Sequence, residues 1–307
     1  MIAVTGASGQ LGRLVIESLL SKTSSENIVA LVREPNSIPE FVAKGIEIRQ
    51  ADYNDPASLV KALKGIDKVL LISSNAVGQR TSQHKAVIDA AVQTGVNFLA
   101  YTSLLKADTS PIFLAKEHKE TETLIKESGL NYSFLRNGWY TENYTMGIAQ
   151  AIEDKAVYNC AGQGRLTTAP RAEYAEAAAV ILTDETDQHL NQTYELGGDT
   201  PYDLSNFADE IAKSAGTDIS YINLKEDDFK SALIEAGVPE GFAGALADAG
   251  IGIADGWLVD EKQDPFKNYR AYNDTYETIC FGSGSSFIEN FEAKRQEILP
   301  AFFYFIL

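Results

Sequence analysis

The stretch MIAVTGASGQLG, residues 1–12, combines a short apolar run, a glycine loop and the start of a helical pattern. Met1–Val4 has the composition of a buried strand, and the apolar side chains that follow Gly12 recur at helical spacing. Gly6, Gly9 and Gly12 form the pattern G-x-x-G-x-x-G. Between a strand and a helix, such glycines make the tight turn, admit a pyrophosphate and allow close packing. We therefore expect a dinucleotide phosphate at the helix N-terminus; a turn that binds no ligand is the alternative.

The chain then alternates between strand-like and helix-like patterns. The strand-like runs are Asn27–Val32, Ile46–Ile48, Lys68–Ile72, Asn97–Tyr101, Tyr132–Leu135 and Thr193–Leu196. The helical patterns are Pro56–Leu63, Gln83–Thr94, Glu117–Ser128, Arg171–Leu182 and Leu204–Ala215. Continuous apolar strands separated by helices indicate a parallel sheet that is covered on both faces. The predicted fold class is α/β, a Rossmann-type doubly wound parallel sheet with a smaller lobe after it.

Arg33 follows the second predicted strand, in the sequence NIVALVR. Sites for NAD usually place an acid near this strand end to bind the ribose 2′-hydroxyl, whereas a cation accommodates the 2′-phosphate of NADP. Glu34 comes one residue too late to be that acid. The sequence therefore predicts NADPH as the cofactor, with a surface arginine that closes the strand as the alternative.

Polar residues end the third and fourth predicted strands. Asp52 closes one of them, and Ser73, Ser74 and Asn75 close the other. The carboxyl ends of the strands line the ligand crevice in this topology. We expect Asp52 to accept from the adenine amino group and the Ser73–Asn75 backbone to border the ribose. Helix caps and turns are the alternative reading of both.

Composition and charge exclude several classes of function. Lys and Arg number 26 against 43 Asp and Glu, so the formal net charge is −17, and no cationic cluster suits nucleic acid or an anionic membrane. The widely spaced His84, His118, His189, Cys160 and Cys280 give no metal-ligand pattern. No G-x-S-x-G elbow for serine hydrolysis occurs. Without a signal peptide or an apolar run of membrane-spanning length, the expected location is the cytoplasm.

Several motifs together resemble the NmrA-like atypical short-chain dehydrogenases. They are TGASGQLG, LVR, DY, LLISS, AYTSLLKADTSP and FLRNGWYTENY. Within that family the NADPH-dependent quinone reductases match first and the triphenylmethane reductases next. The resemblance, which runs to about Gln263, implies a two-electron reductase of quinones. It places cofactor contacts on Gly6, Ala7, Ser8, Gly9, Gln10, Leu11, Arg33, Ser73, Ser74, Asn75, Asn137, Gly138, Trp139, Tyr140, Thr141 and Glu142.

The chain departs from ordinary short-chain dehydrogenases at their Tyr-x-x-x-Lys pair. The corresponding positions hold Leu114 and His118, so no phenol is available there to protonate the substrate oxygen. His118 and Glu122 share one helical face and are expected to interact. His118 is a candidate catalytic residue, as a proton donor or a contact of the nicotinamide ribose. A structural histidine is the alternative.

The segment after Arg136 is a dense cluster of aromatic and amide side chains. Asn137 and Asn143 offer amides to a carbonyl, with Asn137 the second candidate catalytic residue, while Trp139 and Tyr140 offer aromatic faces to a planar acceptor. A quinone suits a site without a strong general acid, because its delocalised hydroquinone anion can take a proton from water. Filling of the core between two lobes is the alternative role for both rings.

The domain prediction follows from these segments. Residues 1–136 form an NADP-binding domain with a return segment at about 164–185, and residues 137–163 and 186–264 form a discontinuous substrate lobe. Residues 265–307 are an atypical tail: relatives continue with DLSKxIGRxTTP, and permitted codons from Pro265 onward spell a similar segment one nucleotide out of frame. We hypothesise a frameshift, with a divergent native tail as the alternative.

Two classes of function remain open. The first is a quinone reductase, with a triphenylmethane or azo dye reductase as its variant. The second is an NADP(H)-sensing regulatory protein without turnover, which the missing Tyr-x-x-x-Lys pair keeps possible. The expected partner is a small quinone substrate, and neither nucleic acid nor a membrane is expected to bind. A homo-oligomer is a possible state of the protein.

Overall fold

The computed structural model describes residues 1–260. Strands and helices alternate through the first half of this range. In chain order they are β1 (Ile2–Val4), α1 (Gln10–Leu20), β2 (Ile28–Val32), α2 (Pro39–Ala43), β3 (Glu47–Gln50), α3 (Pro56–Ala62), β4 (Lys68–Leu71), α4 (Arg80–Thr94), β5 (Phe98–Leu104), α5 (Phe113–Glu127) and β6 (Asn131–Asn137). Every strand and helix predicted in this half is confirmed, with ends that move by a few residues; α2 is an addition.

The second half contains shorter strands among the helices. They are β7 (Trp139–Tyr140), α6 (Glu142–Thr145), α7 (Ile148–Asp154), β8 (Ala156–Asn159), β9 (Arg165–Leu166), β10 (Thr168–Ala169), α8 (Arg171–Thr183), β11 (Gln192–Leu196), β12 (Tyr202–Asp203), α9 (Leu204–Ala215), β13 (Ser220–Asn223), α10 (Glu226–Glu235) and α11 (Glu240–Ala254). Three of these, α8, β11 and α9, were predicted and are confirmed.

The central sheet has seven strands in the order β11-β6-β5-β4-β1-β2-β3. All of its neighbouring strands run parallel. The chain proceeds outward from β1 to β3 and then returns to β4 on the other side of β1, so the strand order reverses between β1 and β4. Ligands of open α/β sheets bind outside the carboxyl ends of the strands at such a reversal. The predicted doubly wound fold is confirmed.

Alternation along the strands divides the core between the two faces of the sheet. Ile2 and Val4 pack in one apolar cluster with α1 and α8, whereas Ala3 belongs to a second cluster with α3, α4 and α5. Successive strand residues point to opposite faces, so both faces of β1 are buried. This explains why its sequence is a continuous apolar run without a polar side.

A third apolar cluster lies in the C-terminal part of the described chain. It joins residues of α7, α9 and α11 to Trp139 of β7 and Leu114 of α5. Two-stranded sheets, β7–β10, β9–β12 and β8–β13, connect its segments. One detail corrects the predicted segments: β11 lies within 186–264 but pairs with β6 in the central sheet, where it covers an edge that would otherwise stay open. The division into two domains itself stays a prediction.

Two expectations concern the end of the chain and membranes. The proposed frameshifted tail, residues 265–307, lies outside the described residues, and the frameshift stays a hypothesis. Within residues 1–260, no helix is long and apolar enough to cross a membrane.

Candidate active site

A cleft of about 680 Å³ lies at the carboxyl edge of the central sheet. Its walls come from the glycine loop, the ends of β2 and β4, the start of α4, the middle of α5 and the β6–β7 segment. Most of the predicted site residues meet there: Gly6, Ser8, Gly9, Gln10, Leu11, Arg33, Asp52, Ser73, Ser74, Asn75, His118, Asn137, Gly138, Trp139 and Tyr140. Ala7, Thr141 and Glu142 do not line it, and their contact with a cofactor stays a prediction.

Glycine is suited to each of the three loop positions for a different physical reason. Gly6 has φ of +59°, in the left-handed region that favours glycine. A Cβ on Gly12 would lie 2.4 Å from the Gly6 carbonyl oxygen and 2.8 Å from the Ala7 Cα, so α1 can pack against the loop only without that atom. A Cβ on Gly9 would meet only the Gly6 oxygen, at 3.2 Å. Gly9 is exposed to the cleft and leaves its backbone open to a ligand.

The N-terminus of α1 fits a pyrophosphate. Gly9 is its N-cap and supplies no side-chain hydrogen bond, and the first turn contains no acidic residue. The first amides of a helix have no intrahelical acceptor, and the helix dipole places partial positive charge there. The uncapped amides of Gln10 and Leu11 therefore face the cleft as an anion site.

The adenosine end of the cleft contains two arginines. Arg33 is exposed and its side chain makes no hydrogen bond within residues 1–260, so its guanidinium is free for a phosphate. Arg13, which the sequence analysis missed, lines the same wall and donates to the carbonyl oxygens of Ser8 and Ser37. Asp52 uses one carboxylate oxygen to accept from the Asn54 amide at 2.8 Å. That turn contact matches the alternative reading of Asp52, while the residue still lines the cleft.

The strand ends at the reversal of the sheet are tied together by Tyr53. Its hydroxyl donates to the Ile72 carbonyl oxygen at 2.8 Å and contacts the Thr5 hydroxyl. The Ile72 amide donates to the same Thr5 oxygen at 3.0 Å. Burial raises the pKa of Tyr53, against the opposing effect of the Thr5 hydrogen bond, so the phenol keeps its proton. The ends of β1 and β4 are thereby linked to each other at the cleft.

His84 supports the loop after β4 from behind. Its Nε2 accepts from the Ser74 amide at 2.9 Å, so its hydrogen must be on Nδ1, which lies 2.9 Å from the Thr121 hydroxyl. Thr121 donates in turn to the Glu117 carbonyl oxygen at 2.8 Å. Burial, with a smaller effect of Arg80, lowers the pKa of His84 to about 3. The predicted ribose loop is therefore held by a neutral histidine, and the role of His84 is structural.

His118 is buried at the cleft wall and also neutral. The nearest terminal nitrogen of Arg80 lies 3.4 Å from its Nε2; since a guanidinium only donates, Nε2 is the acceptor. Nδ1 then carries the hydrogen and donates to the Tyr101 hydroxyl at 2.8 Å. Burial, followed by Arg80 and His84, lowers the pKa of His118 well below its usual value. This geometry gives no support to His118 as a proton donor at neutral pH.

The expected contact between His118 and Glu122 is wrong. Glu122 instead accepts from Arg136 of β6 through both oxygens, at 2.9 and 2.7 Å, and from the Ser103 hydroxyl at 2.6 Å. Arg136 also donates to Asp108 and Glu195. Burial is the largest single effect and lowers the pKa of Arg136, but the hydrogen bonds and charges of Glu122 and Glu195 together outweigh it and raise that pKa. A buried guanidinium offers a bidentate, charge-assisted partner that outcompetes a neutral imidazole one turn away.

Asn137 and Gly138 stand where β6 passes into β7. The Asn137 Oδ1 is buried and has no hydrogen-bond partner, which fits a donor group of a ligand such as a carboxamide. Gly138 is explained by the protein itself: a Cβ there would lie 3.0 Å from the Leu196 oxygen and 3.1 Å from the Thr167 oxygen. Of these two residues, only Asn137 points to a bound molecule.

Trp139 and Tyr140 both line the cleft, but their rings pack against different parts of the protein. Trp139 belongs to the apolar cluster of the C-terminal part, so its predicted alternative role in the core is also met. Tyr140 packs edge-on against Tyr174, with ring centroids 5.4 Å apart. Burial raises the pKa of Tyr140, against lowering effects of Arg171 and an Asn137 hydrogen bond. Because adjacent strand residues point to opposite sides, the two rings contribute to different parts of the wall.

Arg171 is a site residue that the sequence analysis did not select. Its guanidinium carbon lies 4.3 Å from the Tyr140 ring centroid, a cation–π contact. Glu142 approaches the guanidinium at 3.4 Å and Asn143 accepts from it at 3.0 Å. Glu142 also accepts from the Arg171 amide at 2.9 Å. Glu142 thus supports Arg171 from outside the cleft. Thr141, the other predicted residue of this segment outside the cleft, donates its hydroxyl to the Thr168 hydroxyl at 2.9 Å.

Comparison with known proteins identifies the family of this chain. The profile of NAD(P)H-binding proteins matches residues 6–185, and the chain belongs to that family. It is 48% identical over 263 residues to quinone oxidoreductase 2 of Escherichia coli strain K12, an alignment that covers 86% of this chain and 91% of the relative. An NAD(P)H azoreductase from Xenophilus azovorans is 29% identical, over 80% of this chain and 85% of the relative.

Solved structures show the same architecture. The crystal structure of NADPH-dependent quinone oxidoreductase from Escherichia coli complexed with NADPH has a TM-score of 0.88 and 46% identity, covering 91% of this chain and 98% of that one. Triphenylmethane reductase of Citrobacter sp. complexed with NADP(H) has a TM-score of 0.81 and 34% identity, covering 95% and 99% of the two chains. The predicted family resemblance is confirmed.

Proposed function

We propose that this protein is an NADPH-dependent quinone reductase. The observation that carries the proposal is the 48% identity to quinone oxidoreductase 2 over 263 residues. The cleft offers an uncapped helix N-terminus for a pyrophosphate and an aromatic chamber for a planar acceptor.

Different cleft residues contact different parts of the cofactor. The uncapped amides of Gln10 and Leu11 hold the pyrophosphate in the space lined by Gly6, Ser8 and Gly9. Arg33 holds the 2′-phosphate with its free guanidinium. The Ser73–Asn75 backbone borders the ribose, and the unpartnered Asn137 Oδ1 accepts from the nicotinamide carboxamide. When bound there, NADPH supplies a hydride.

The protein's own part in the reaction is to orient the acceptor and exclude water. Trp139 and Tyr140 offer apolar ring surface to the quinone, and Asn137 and Asn143 offer amides near its carbonyl groups. Leu114 is buried at the cleft wall where a phenol would stand, and His118 is neutral with both ring nitrogens bonded. The hydroquinone anion therefore takes its proton from water, and no side chain is an obligatory proton donor.

Steady-state oxidation of NADPH, with and without a simple quinone, tests the proposal. We expect NADPH to be oxidised at a rate that depends on the quinone concentration, with hydroquinone formed in equal amount. Tight NADPH binding without turnover on any of several quinones would favour the NADP(H)-sensing alternative. Two further proposals, a cytoplasmic location and a homo-oligomeric state, are tested by fractionation and by light scattering.

A further inference from the structure

A fourth arginine, Arg80, lines the cleft together with Arg13, Arg33 and Arg171. It is the first residue of α4, its side chain is buried, and it lines the cleft beside His118. Among the described residues it forms no salt bridge. We propose that Arg80 is a catalytic residue that stabilises the negative charge placed on the quinone by hydride transfer, and that His118 positions it. The inference deepens the proposed function and rests on it.

Three contacts fix the orientation of Arg80. Its Nε donates to the Ser74 carbonyl oxygen at 2.6 Å, and a terminal nitrogen points at His118 Nε2 from 3.4 Å. Its backbone amide donates to Glu117 at 3.0 Å. Within residues 1–260, the other N–H groups of the guanidinium have no protein partner. They remain available to a ligand in the cleft.

The charge of Arg80 is only partly compensated by the protein. Glu117 is the nearest carboxylate, but its oxygens accept from the backbone amides of Gly78 and Arg80 and not from the guanidinium. Arg171, the other buried arginine of this wall, differs because Glu142 and Asn143 engage its guanidinium directly. A buried cation without an ion-pair partner is costly, and an anionic ligand would remove that cost. Arg80 lies next to His118 in the wall of the cleft.

The charge balance of quinone reduction supplies such an anion. The quinone accepts a hydride, which is one hydrogen nucleus with two electrons, and becomes a hydroquinone monoanion with one new O–H bond. NADPH loses its C4–H bond and is oxidised to NADP⁺. A proton from water then converts the anion to the hydroquinone. Before that proton arrives, a preorganised guanidinium next to the charged oxygen lowers the barrier, and arginine stays protonated throughout.

Arg80 should accelerate hydride transfer only to acceptors whose reduced product carries a negative charge. A cationic triphenylmethane dye also accepts a hydride, but its product is neutral and no oxygen anion forms. A fixed positive charge gives no stabilisation to that reaction and repels the dye. Arg80 therefore favours quinones over cationic dyes, and its removal should shift the preference towards the dye.

The experiment compares Arg80→Gln and Arg80→Lys with the wild type at saturating NADPH. Arg165→Gln is the matched control, because it removes the same charge from an exposed residue outside the cleft. We expect Arg80→Gln to lower kcat/KM for the quinone roughly 10- to 100-fold, the range of a lost charge-assisted hydrogen bond. Arg80→Lys should lose less, Arg165→Gln should equal the wild type, and dye reduction should be unchanged or faster in Arg80→Gln.

A measurement that needs no turnover provides the second readout. 4-Nitrophenol serves as the probe for the hydroquinone anion, because its phenolate absorbs visible light. Bound to the NADP⁺-loaded wild type, it should have a lower pKa than in solution, and the ratio of phenolate to phenol at fixed pH should fall about tenfold or more in Arg80→Gln. The wild-type measurement stands even if a variant does not fold.

Several outcomes would overturn the proposal. They are equal losses on quinone and dye, a bound nitrophenol whose pKa is unchanged in the wild type, and a rise in the NADPH dissociation constant that matches the loss in kcat/KM. The last would make Arg80 a cofactor contact. If instead the wild type fails to reduce any quinone, the proposed function fails, while the nitrophenol titration still reports whether Arg80 stabilises an anion in the cleft.

His118 has its own test as a positioning residue. Phe in its place removes the acceptor for Arg80, whereas Gln retains an oxygen acceptor. We expect His118→Phe to lower kcat for the quinone by less than about tenfold and to raise the pKa of bound nitrophenol, since Arg80 keeps its charge but loses its orientation. His118→Gln should restore both. A thousandfold loss in His118→Phe with unchanged NADPH affinity would make His118 the catalytic acid.

Discussion

Replacing Gly12 and Gly9 by alanine separates two roles within one loop. In Gly12→Ala the new Cβ would lie 2.4 Å from the Gly6 oxygen and 2.8 Å from the Ala7 Cα, so the helix and loop must separate by roughly 1 Å to reach ordinary contact. Both obstacles are backbone atoms and cannot rotate away. Overpacking of this kind costs about 3 kcal/mol, and the better helix propensity of alanine returns about 1 kcal/mol.

The net loss of about 2 kcal/mol in Gly12→Ala corresponds to a Tm lower by roughly 3 °C, because the unfolding entropy of a chain of this length is about 0.6 kcal/mol/K. Gly9 has φ −75° and ψ 168°, which alanine adopts freely, and its Cβ would meet one oxygen at 3.2 Å. Gly9→Ala should therefore keep its Tm within about 2 °C of the wild type, because only a mild cap preference is lost. It should nevertheless weaken NADPH tenfold or more, because its Cβ enters the space of the pyrophosphate.

Differential scanning fluorimetry without cofactor and a fluorescence titration with NADPH distinguish the two variants. We expect Gly12→Ala to lose both stability and affinity, and Gly9→Ala to lose affinity alone. An equal fall in Tm for both variants would show that the backbone clash at Gly12 is relieved in some other way. Undiminished NADPH binding by Gly9→Ala would refute the assignment of the loop to the pyrophosphate.

Three further predictions follow from single contacts. Arg33→Ala should weaken NADPH by roughly 1.5–3 kcal/mol and leave NADH nearly unchanged; equal losses in a binding titration would contradict the 2′-phosphate assignment. Glu122→Gln should destabilise the fold by roughly 2–4 kcal/mol in urea unfolding, because it leaves the buried guanidinium of Arg136 short of charge, whereas an unchanged midpoint would mean that Asp108 and Glu195 suffice. The pKa of His84 is about 3 in the folded protein, so the unfolded chain takes up its proton first as the pH falls below about 6.5. Stability should therefore fall between about pH 6.5 and pH 3, and His84→Gln should flatten part of that fall.

The phosphate loop and the core strands could be predicted because their signals are local. The glycine spacing and the apolar run of Met1–Val4 lie within the elements that they define. The short pairs β7 and β10 were missed, because Trp139–Tyr140 and Thr168–Ala169 are two-residue strands. No periodicity exists over two residues, and their pairing depends on segments almost thirty positions apart.

The interior of the site could not be predicted for a related reason. Helical spacing correctly placed His118 and Glu122 on one face, but their partners come from other elements: Arg80 from α4 and Arg136 from β6. A one-turn spacing says that two side chains are near each other, not that they bond. Arg80 and Arg171 carry no local pattern, and the only available signal was an arginine next to a predicted strand end or helix start.

The replacement of the dehydrogenase phenol by Leu114 leads to a last prediction, which concerns ordinary ketones. Hydride transfer to a ketone yields a strongly basic alkoxide that needs a proton in the transition state, and general acid catalysis contributes about 10²–10⁴-fold to such steps. Leu114 is apolar and buried, and the neutral His118 has both nitrogens engaged, so the cleft has no acid at that position. NADPH oxidation with cyclohexanone should therefore stay at the rate without acceptor, while a quinone of similar size is reduced. A kcat/KM for cyclohexanone within tenfold of the value for the quinone would show that the cleft contains a proton donor after all, with the Tyr140 phenol as the next residue to replace.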